Sequence, residues 1–489
     1  MKKFIDTIIK EEYKQWGSGD RILINSGTGT GKSTFIKRKL NNYAYETNKK
    51  ILYLTNRNTL RNQILNDLQE HNNITVLNYQ KIEEFILKNV SLDNFDYIVC
   101  DEAHYFFTDA VFNRKTDLFF NMLIENVFSI VIFMTATPLL LINYMKKSYK
   151  EFDYTYKLDT DYTYIKKVVA YTNDESVESI IENIPEDEQI MFFSTAKKSL
   201  EIAKKYKGTF ICSKYNKNYN KYVSNTENEK ELDNIIKNGC FNNHLLCTTT
   251  FMDCGVNIKE STAVKHIILD ILDIDSFIQC LGRKRIADGE KINLYFNSYK
   301  NKGRINGFRK KVSNTLEIAN YLIENGQEKF VEHKFKSDRF ADGRIIDEYI
   351  KDGNTIKVVN KCMYQKVLYD YNFYETLLNK TINISFIDIV ANRLRINRGD
   401  ITELEVTEKT LSVGDVLESL VGKKIYKKEK KELINFIGLK DSKGRLQKSI
   451  GQINEYLKSN NIPYIILSKV VKNNNKCIRV WIVDKLILQ

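Results

Sequence analysis

Proline is nearly absent, three in 489 residues, so boundaries between elements must be read from polarity rather than from proline punctuation. Long apolar runs are also missing. The most apolar stretch, Ser129 to Met145, is broken by Thr135, Thr137 and Pro138, which makes it too short and too interrupted for a membrane span. The start, Met1-Lys2-Lys3-Phe4, leads into mixed polar sequence without the apolar core of a secretory signal. The eight cysteines form no CxxC pair. Cys240, Cys247 and Cys254 recur every seven residues, but no histidine accompanies them at knuckle spacing. A disulfide framework and a zinc knuckle are therefore excluded, and reduced core thiols of a cytoplasmic protein are expected. No nuclease, metal-cluster or methyltransferase pattern appears.

What is present is charge of one sign. Lys and Arg number 75 against 62 Asp and Glu, a formal net charge of +13. That excess favours polyanionic partners such as nucleic acid, because released counterions supply affinity without sequence preference. Hydrophobic residues at 43% and charged residues at 28% are ordinary for a globular chain. The length implies two to four domains rather than one core.

Short apolar runs alternate with helical patterns from residue 21 to about 300. The strand candidates are Ile22–Asn25, Ile51–Thr55, Ile74–Leu77, Tyr97–Asp101 and Ile130–Thr135. After a polar break at 146–161 they resume with Val168–Tyr171, Ile190–Ser194, Thr209–Cys212, His244–Thr249, His266–Asp270 and Ile292–Phe296. Helical runs such as Ser33–Asn48 and Ala196–Lys205 lie between them. Strands alternating with helices give βαβ units, and two groups separated by a polar break give two parallel sheets.

The first strand empties into Ser26-Gly27-Thr28-Gly29-Thr30-Gly31-Lys32-Ser33-Thr34. Glycines allow successive N–H groups to turn toward one anion, and the following helix aims its positive dipole end at the same point. Lys32 reaches β- and γ-phosphate oxygens in such a loop, and the Ser33 hydroxyl is placed to ligate Mg²⁺. Residues 27–34 are thus the expected ATP-binding loop, although Ser26 stands where the usual G-x-x-x-x-G-K-S/T pattern begins with glycine. The fourth strand ends in Asp101-Glu102-Ala103-His104. An acidic residue at a strand end near the loop is what the metal requires, which assigns Asp101 to Mg²⁺. Glu102 is then the general base that orients and deprotonates the attacking water.

These segments resemble the superfamily 2 helicases and translocases, whose DEAD/DEAH motif the tetrapeptide matches. Further segments follow in that family's order over roughly residues 20 to 290. Tyr53-Leu54-Thr55-Asn56-Arg57 is similar to motif Ia, which implies nucleic-acid contacts for Thr55 and Arg57. Thr135-Ala136-Thr137-Pro138 is similar to motif III, which implies a coupling role for Thr135 and Thr137. Met191–Thr195 is similar to motif IV. Thr248–Ile258 is similar to motif V, with Thr249 toward nucleic acid, Gly255 toward the nucleotide, and Asn257 where aspartate is commoner. Asp275–Arg285 is similar to motif VI. Charge on a transferring phosphoryl group calls for planar cations, and an arginine from a second domain links hydrolysis to closure. Arg283 and Arg285 are the candidates, because Ile286 occupies the usual position of the second arginine. Their Gly-Arg-x-Arg spelling is similar to viral origin-binding and phage-type DNA helicases. His104 is expected to hydrogen-bond across the cleft to Gln279. Trp16, beside Gln15, is expected to be structural.

Beyond residue 300 no catalytic pattern appears. Phe308 to Asn325 reads as an amphipathic helix, and the aromatic cluster at Tyr364, Tyr369, Tyr371, Phe373 and Tyr374 reads as core. Residues 405–489 carry 17 Lys and Arg against 9 Asp and Glu, a net +8. Leu446, Ile450, Ile453 and Leu457 step at helical spacing, and two strand-like runs, Tyr464–Val471 and Cys477–Val483, follow across Lys472–Lys476. Helix, helix and basic hairpin resemble a winged-helix module, with Lys443–Asn460 as recognition helix and Lys443, Arg445 and Lys448 toward nucleic acid.

The expected architecture is α/β: two tandem RecA-like parallel-sheet domains at 1–155 and 156–302, a helical accessory region at 303–404, and a basic winged-helix-like module at 405–489. The expected activity is an ATP- and Mg²⁺-dependent nucleic-acid helicase or translocase, with DNA favoured over RNA and no membrane partner. The alternative is an ATP-regulated, sequence-recognising DNA-binding protein, such as a replication-origin initiator or defence component. That protein would remodel complexes without processive unwinding.

Overall fold

The structure is a computed structural model. It describes residues 4–56, 61, 64–65, 68, 73–87, 92–111, 116–224, 226–250, 257–336, 345–351, 353–405, 413–440, 446–460, 462–473 and 476–486. The chain divides into two compact units, Met1–Glu405 and Val406–Gln489.

The first unit contains two parallel sheets. Strands β1 (Arg21–Ser26), β2 (Ile51–Thr55), β3 (Ile74–Asn78), β4 (Tyr97–Asp101), β5 (Ile130–Thr135) and β6 (Tyr154–Leu158) form a six-stranded sheet in the order β3-β2-β4-β5-β1-β6. Its central strands read as unbroken apolar runs because helices cover both faces. Alternation then sends Val131 and Phe133 of β5 into the core on one face, and Ile130, Ile132 and Met134 into the core on the other. Strand β6 lies in the segment expected to be a polar break, and it crosses the boundary expected at 155. It pairs only with β1 among the described strands, Ile24 opposite Tyr156, and an edge strand with one buried side chain in five shows little apolar signal.

Strands β7 (Ile165–Tyr171), β8 (Gln189–Phe193), β9 (Thr209–Ile211), β10 (Leu245–Thr248), β11 (Val264–Leu269) and β12 (Ile292–Asn297) build the second sheet. The order is β15-β7-β12-β11-β8-β10-β9, where β15 is Ile401–Leu404. The region expected to be a helical accessory therefore returns a strand to this sheet, Ile401 opposite Val168. Between β12 and β15 the chain forms a helix, Lys302–Lys336, interrupted at Gly326, whose φ of 76° and ψ of 173° are non-helical. Next come an antiparallel hairpin of β13 (Ile346–Lys351) and β14 (Asn354–Val359), and helices Lys361–Leu378 and Phe386–Leu394. The tyrosines of Lys361–Leu378 pack into cores: Tyr369 with the first sheet's cluster, Phe373 and Tyr374 with the second's, and Tyr364 and Tyr371 with a third between helices.

The second unit has helices Val413–Leu420, Lys427–Ile437 and Ile450–Ser459, followed by a hairpin of β16 (Tyr464–Asn473) and β17 (Lys476–Lys485). Leu417, Leu433, Ile453, Leu457, Ile466 and Trp481 form its core. The third helix starts at Ile450 rather than Lys443. Leu446 instead bridges Lys440, so Leu446 and Lys448 stand before the helix. Ser449 at the cap position, with an extended backbone, marks the start.

Among the described residues, no helix is long and apolar enough to cross a membrane.

Candidate active site

All strands of the first sheet are parallel, so the loops after β1, β4 and β5 emerge on one edge, and β5 lies between β1 and β4. The phosphate loop, Asp101-Glu102 and Thr135 are thereby adjacent. Gly29 and Gly31 take left-handed φ values of 74° and 84°, which only glycine adopts without strain. A helix follows, Lys32–Phe35, then a π-turn at Ile36–Leu40 and a further helix at Asn41–Glu46. Ser26 is accommodated by use: its hydroxyl accepts from Thr30 Oγ1 at 2.9 Å. Lys32 is buried with its Nζ donating to the carbonyls of Ser26 at 2.6 Å and Gly27 at 2.8 Å. Burial lowers its pKa, against the opposing pull of Glu102 and Asp101. At the N-terminal side, the Ile5 N–H donates to the Thr30 carbonyl at 2.9 Å. Gln15 is exposed, and Trp16 is buried with Nε1 donating to the Tyr156 hydroxyl. Trp16 is structural, as expected.

Asp101 and Glu102 occupy different surroundings. Asp101 accepts from the Tyr53 hydroxyl at 2.8 Å and from the Glu102 N–H at 3.1 Å. Burial, then the neighbouring Glu102 charge, push its pKa up to about 6. Tyr53 also bonds Ser33, so the two expected metal ligands meet around one phenol oxygen. Tyr53 was not among the expected site residues, although it opens the motif Ia segment. Glu102 adopts a left-handed φ of 51°. Burial works to raise its pKa, but His104, Lys32, Arg283 and Arg285 outweigh it and hold the carboxyl low. Its Oε2 accepts no hydrogen bond among the described residues and lies 3.5 Å from His104 Nδ1.

The second sheet completes the cleft. Helix Ile274–Leu281, capped by Asp273, precedes Gly282-Arg283-Lys284-Arg285. Gln279 Nε2 donates to His104 Nε2 at 3.2 Å, so the expected cross-cleft bond forms. His104 Nδ1 faces Glu102 and Thr135 Oγ1, each at 3.5 Å. Thr28 Oγ1 donates to the Gly282 carbonyl at 3.3 Å. A Cβ placed on Gly282 would lie 2.2 Å from Thr28 Oγ1, and one on Gly29 would lie 2.9 Å from Arg285 Nη1. Arg283 is 3% exposed; its Nε and Nη2 have no partner among the described residues, while Nη1 donates to Asn257 Oδ1 at 3.5 Å. Asn257, the motif V departure, thus orients an arginine. Burial and the like charge of Arg283 pull the Arg285 pKa down to about 10. Two guanidinium groups drawn out of water without a carboxylate bonded to them among the described residues form a site for a multivalent anion.

A sequence model described as DEAD/DEAH box helicase matches residues 36–140, the span that holds Asp101–His104 and Thr135–Pro138. That segment is similar to DEAD/DEAH box helicases. A curated protein of Acanthamoeba polyphaga mimivirus, named "Putative replication origin-binding protein", is 22% identical over 329 residues. The match covers 59% of this chain and 40% of that protein, so the chain spans less than half of that relative's length. Among solved structures, S. cerevisiae Dbp5 bound to RNA and ADP BeF3 is 14% identical and covers 63% of this chain and 90% of its own, with a TM-score of 0.42. A DEAD box protein from Methanococcus jannaschii is 16% identical and covers 62% and 89%, with a TM-score of 0.34.

In the first sheet, Thr55, Thr135 and Thr137 are buried at or just past strand ends, and the hydroxyls of Thr55 and Thr137 lack partners among the described residues. Thr249 is half-buried just after β10. Arg57, Gly255, Lys443 and Arg445 lie outside the described residues. Thr34 sits in the first turn after the loop. No group of three His, Cys, Asp or Glu is arranged for a metal among the described residues. Mg²⁺ in nucleotide sites is held by one or two carboxylates together with phosphates. The oxygen donors of Ser33 and Asp101, gathered at Tyr53, suit it.

Proposed function

We propose that this protein hydrolyses ATP in the cleft between its two sheets and uses the cycle to move along or unwind nucleic acid, DNA in preference to RNA. One observation carries the reading. Arg283 and Arg285 of the second sheet reach Lys32 and Glu102 of the first, and Arg283 Nε and Nη2 are left without partners in a buried position. A protein cleft pays for such unpaired buried cations only where an anion meets them. Residues 27–34 cradle the phosphates through their N–H groups, and Lys32 exchanges the Ser26 and Gly27 carbonyls for phosphate oxygens. Ser33 and Asp101 would hold Mg²⁺, which supplies charge neutralisation on the phosphates. Glu102, kept ionised, takes the proton of the attacking water. Gln279 and His104 link that base to the second sheet, and Thr135 joins His104 to the loop after β5, so a change at the γ-phosphate reaches both halves.

Support for DNA comes from the origin-binding name of the viral relative and from the basic second unit, whose three helices and hairpin suit a winged-helix reader with Lys448 near its base. Among the described residues seven cysteines form no disulfide, and five of them are buried, which suits a reducing compartment. A second reading rests on the same relative: a site-selective DNA-binding protein whose ATP cycle remodels a complex. The first reading is tested by Lys32→Ala and Glu102→Gln in strand-stimulated ATP hydrolysis. Loss of the base is expected to lower kcat by about 100-fold or more, and Lys32→Ala should do at least as much. Turnover undiminished by either change rules the cleft out as the motor.

A further inference from the structure

Helix Lys361–Leu378 touches both sheets. Its N-terminus is fixed to the first: the Lys361 N–H donates to Asp117 Oδ2 at 2.9 Å, and its cap residue Asn360 donates to Thr116 Oγ1 at 3.3 Å. Lys147 Nζ donates to Gln365 Oε1 at 2.7 Å, and Cys362 is fully buried in the first sheet's core. Its C-terminal half is fixed to the second. Leu377 belongs to that sheet's core, Lys302 Nζ donates to the Leu377 carbonyl, and Arg309 pairs with Glu375 at 2.8 Å. Near the changeover sits Lys366, one turn beyond Cys362. Its ammonium pairs with Asp273 at 2.8 Å and Asp370 at 2.6 Å. Asp273 is the cap of helix Ile274–Leu281, accepting from the Ser276 N–H at 2.8 Å.

We propose that helix Lys361–Leu378 is a strap between the two halves of the ATP cleft, and that Lys366 is a positioning residue for the arginine-bearing helix of the second sheet. The helix Ile274–Leu281 is held to the first sheet at two places. Its C-terminal end is held directly, by Gln279 to His104 and Gly282 to Thr28. Its N-terminal end is held through the strap, by Lys366 to Asp273. Two separated attachments fix both the position and the tilt of a helix, and tilt decides where Arg283 and Arg285 point. The catalytic part of this inference rests on the ATP-cleft reading; the mechanical part does not.

The test uses the full chain and two readouts. Lys366→Met removes the ammonium, and Asp273→Asn removes the opposing charge while keeping a good helix cap. Lys366→Arg preserves both pairs. Hydrogen exchange should rise about tenfold or more at residues 273–285 in Lys366→Met and Asp273→Asn, with β8 and β11 unchanged and Lys366→Arg like the parent. Steady-state ATP hydrolysis with single-stranded DNA should show kcat lowered about tenfold, with KM for ATP within about twofold. Unchanged exchange at 273–285 overturns the strap, and so does loss of protection throughout the second sheet in both variants, since that marks a plain stability residue. If exchange responds as stated while the parent chain hydrolyses no ATP, the strap stands and the ATP reading falls.

Discussion

At the scale of single residues, the two arginines of the second sheet have separate surroundings. Arg283 is bound by Asn257 and has the larger electrostatic influence on Glu102, whereas Arg285 lies against Gly29 and has the larger influence on Lys32. In the mechanism we propose, the attacking water belongs to Glu102, which assigns Arg283 to the charge that develops in the transition state and Arg285 to phosphate already bound. An interaction made only in the transition state lowers kcat when removed; one made equally in both states raises KM. Arg283→Ala is therefore expected to reduce kcat by about 1,000-fold with little change in KM. Arg285→Ala is expected to raise KM for ATP about tenfold with a smaller effect on kcat. Steady-state kinetics over a range of ATP concentrations decides it, and the opposite pattern reverses the assignment. Asn257→Ala should follow Arg283→Ala in direction but more weakly, because it removes an orienting hydrogen bond and leaves the cation.

At the scale of elements, the strap helix and the helix it holds carry raised carboxyls, as the first sheet does at Asp101. Asp370 lies 2.6 Å from Lys366 yet has its pKa raised to about 6, because it is buried and Asp273 shares the same ammonium. Asp275, one residue into the facing helix, is raised to about 6 by burial and by Asp273, with Arg393 at 3.4 Å opposing. A carboxyl that keeps its proton longer when folded contributes stability at low pH, and that contribution is lost as pH rises from the unfolded to the folded value. Stability should fall between about pH 4 and 6 by up to about 1.4 kcal/mol per pH unit for each such group, and Asp370→Asn should flatten the slope. Denaturant midpoints measured across that window check it; an unchanged slope refutes the burial argument. None of this was legible in the sequence, because Asp273, Lys366 and Asp370 carry no motif and meet only after folding. The strands that were legible, β1 to β5 and β7 to β12, are mostly central and covered on both faces. Of the parallel-sheet strands, the two that were missed, β6 and β15, are edge strands with few buried side chains, where apolar patterning is weakest; the hairpin β13–β14, in the region expected to be helical, was missed as well. The phosphate loop, Asp101, Glu102 and the arginines were readable because their chemistry needs consecutive residues, whereas Tyr53 and Asn257 act through side chains brought in from separate segments.

At the scale of the whole molecule, the distribution of cores and charge separates the unit that holds both sheets from a basic second unit. The four cores flanking the two sheets lie within residues 1–405, and the second unit has a core of its own. A chain ending at Glu405 should therefore fold and retain strand-stimulated ATP hydrolysis within about threefold. The net +8 of residues 405–489 should appear instead in DNA affinity and in its dependence on salt. Each DNA phosphate that the shortened chain no longer neutralises should make the slope of log K against log salt shallower by about 0.9. Binding of the full and shortened chains to a fixed duplex at several salt concentrations gives that slope directly. If the shortened chain hydrolyses ATP on single strands and has merely lost general DNA affinity, the second unit is an electrostatic anchor for a motor. If the full chain prefers one duplex sequence and the shortened chain has no preference, the second unit is a reader, and the origin-binding alternative gains its main support. If hydrolysis disappears with residues 406–489, the basic unit is part of the stimulated cycle itself and the separation of motor and appendage is wrong.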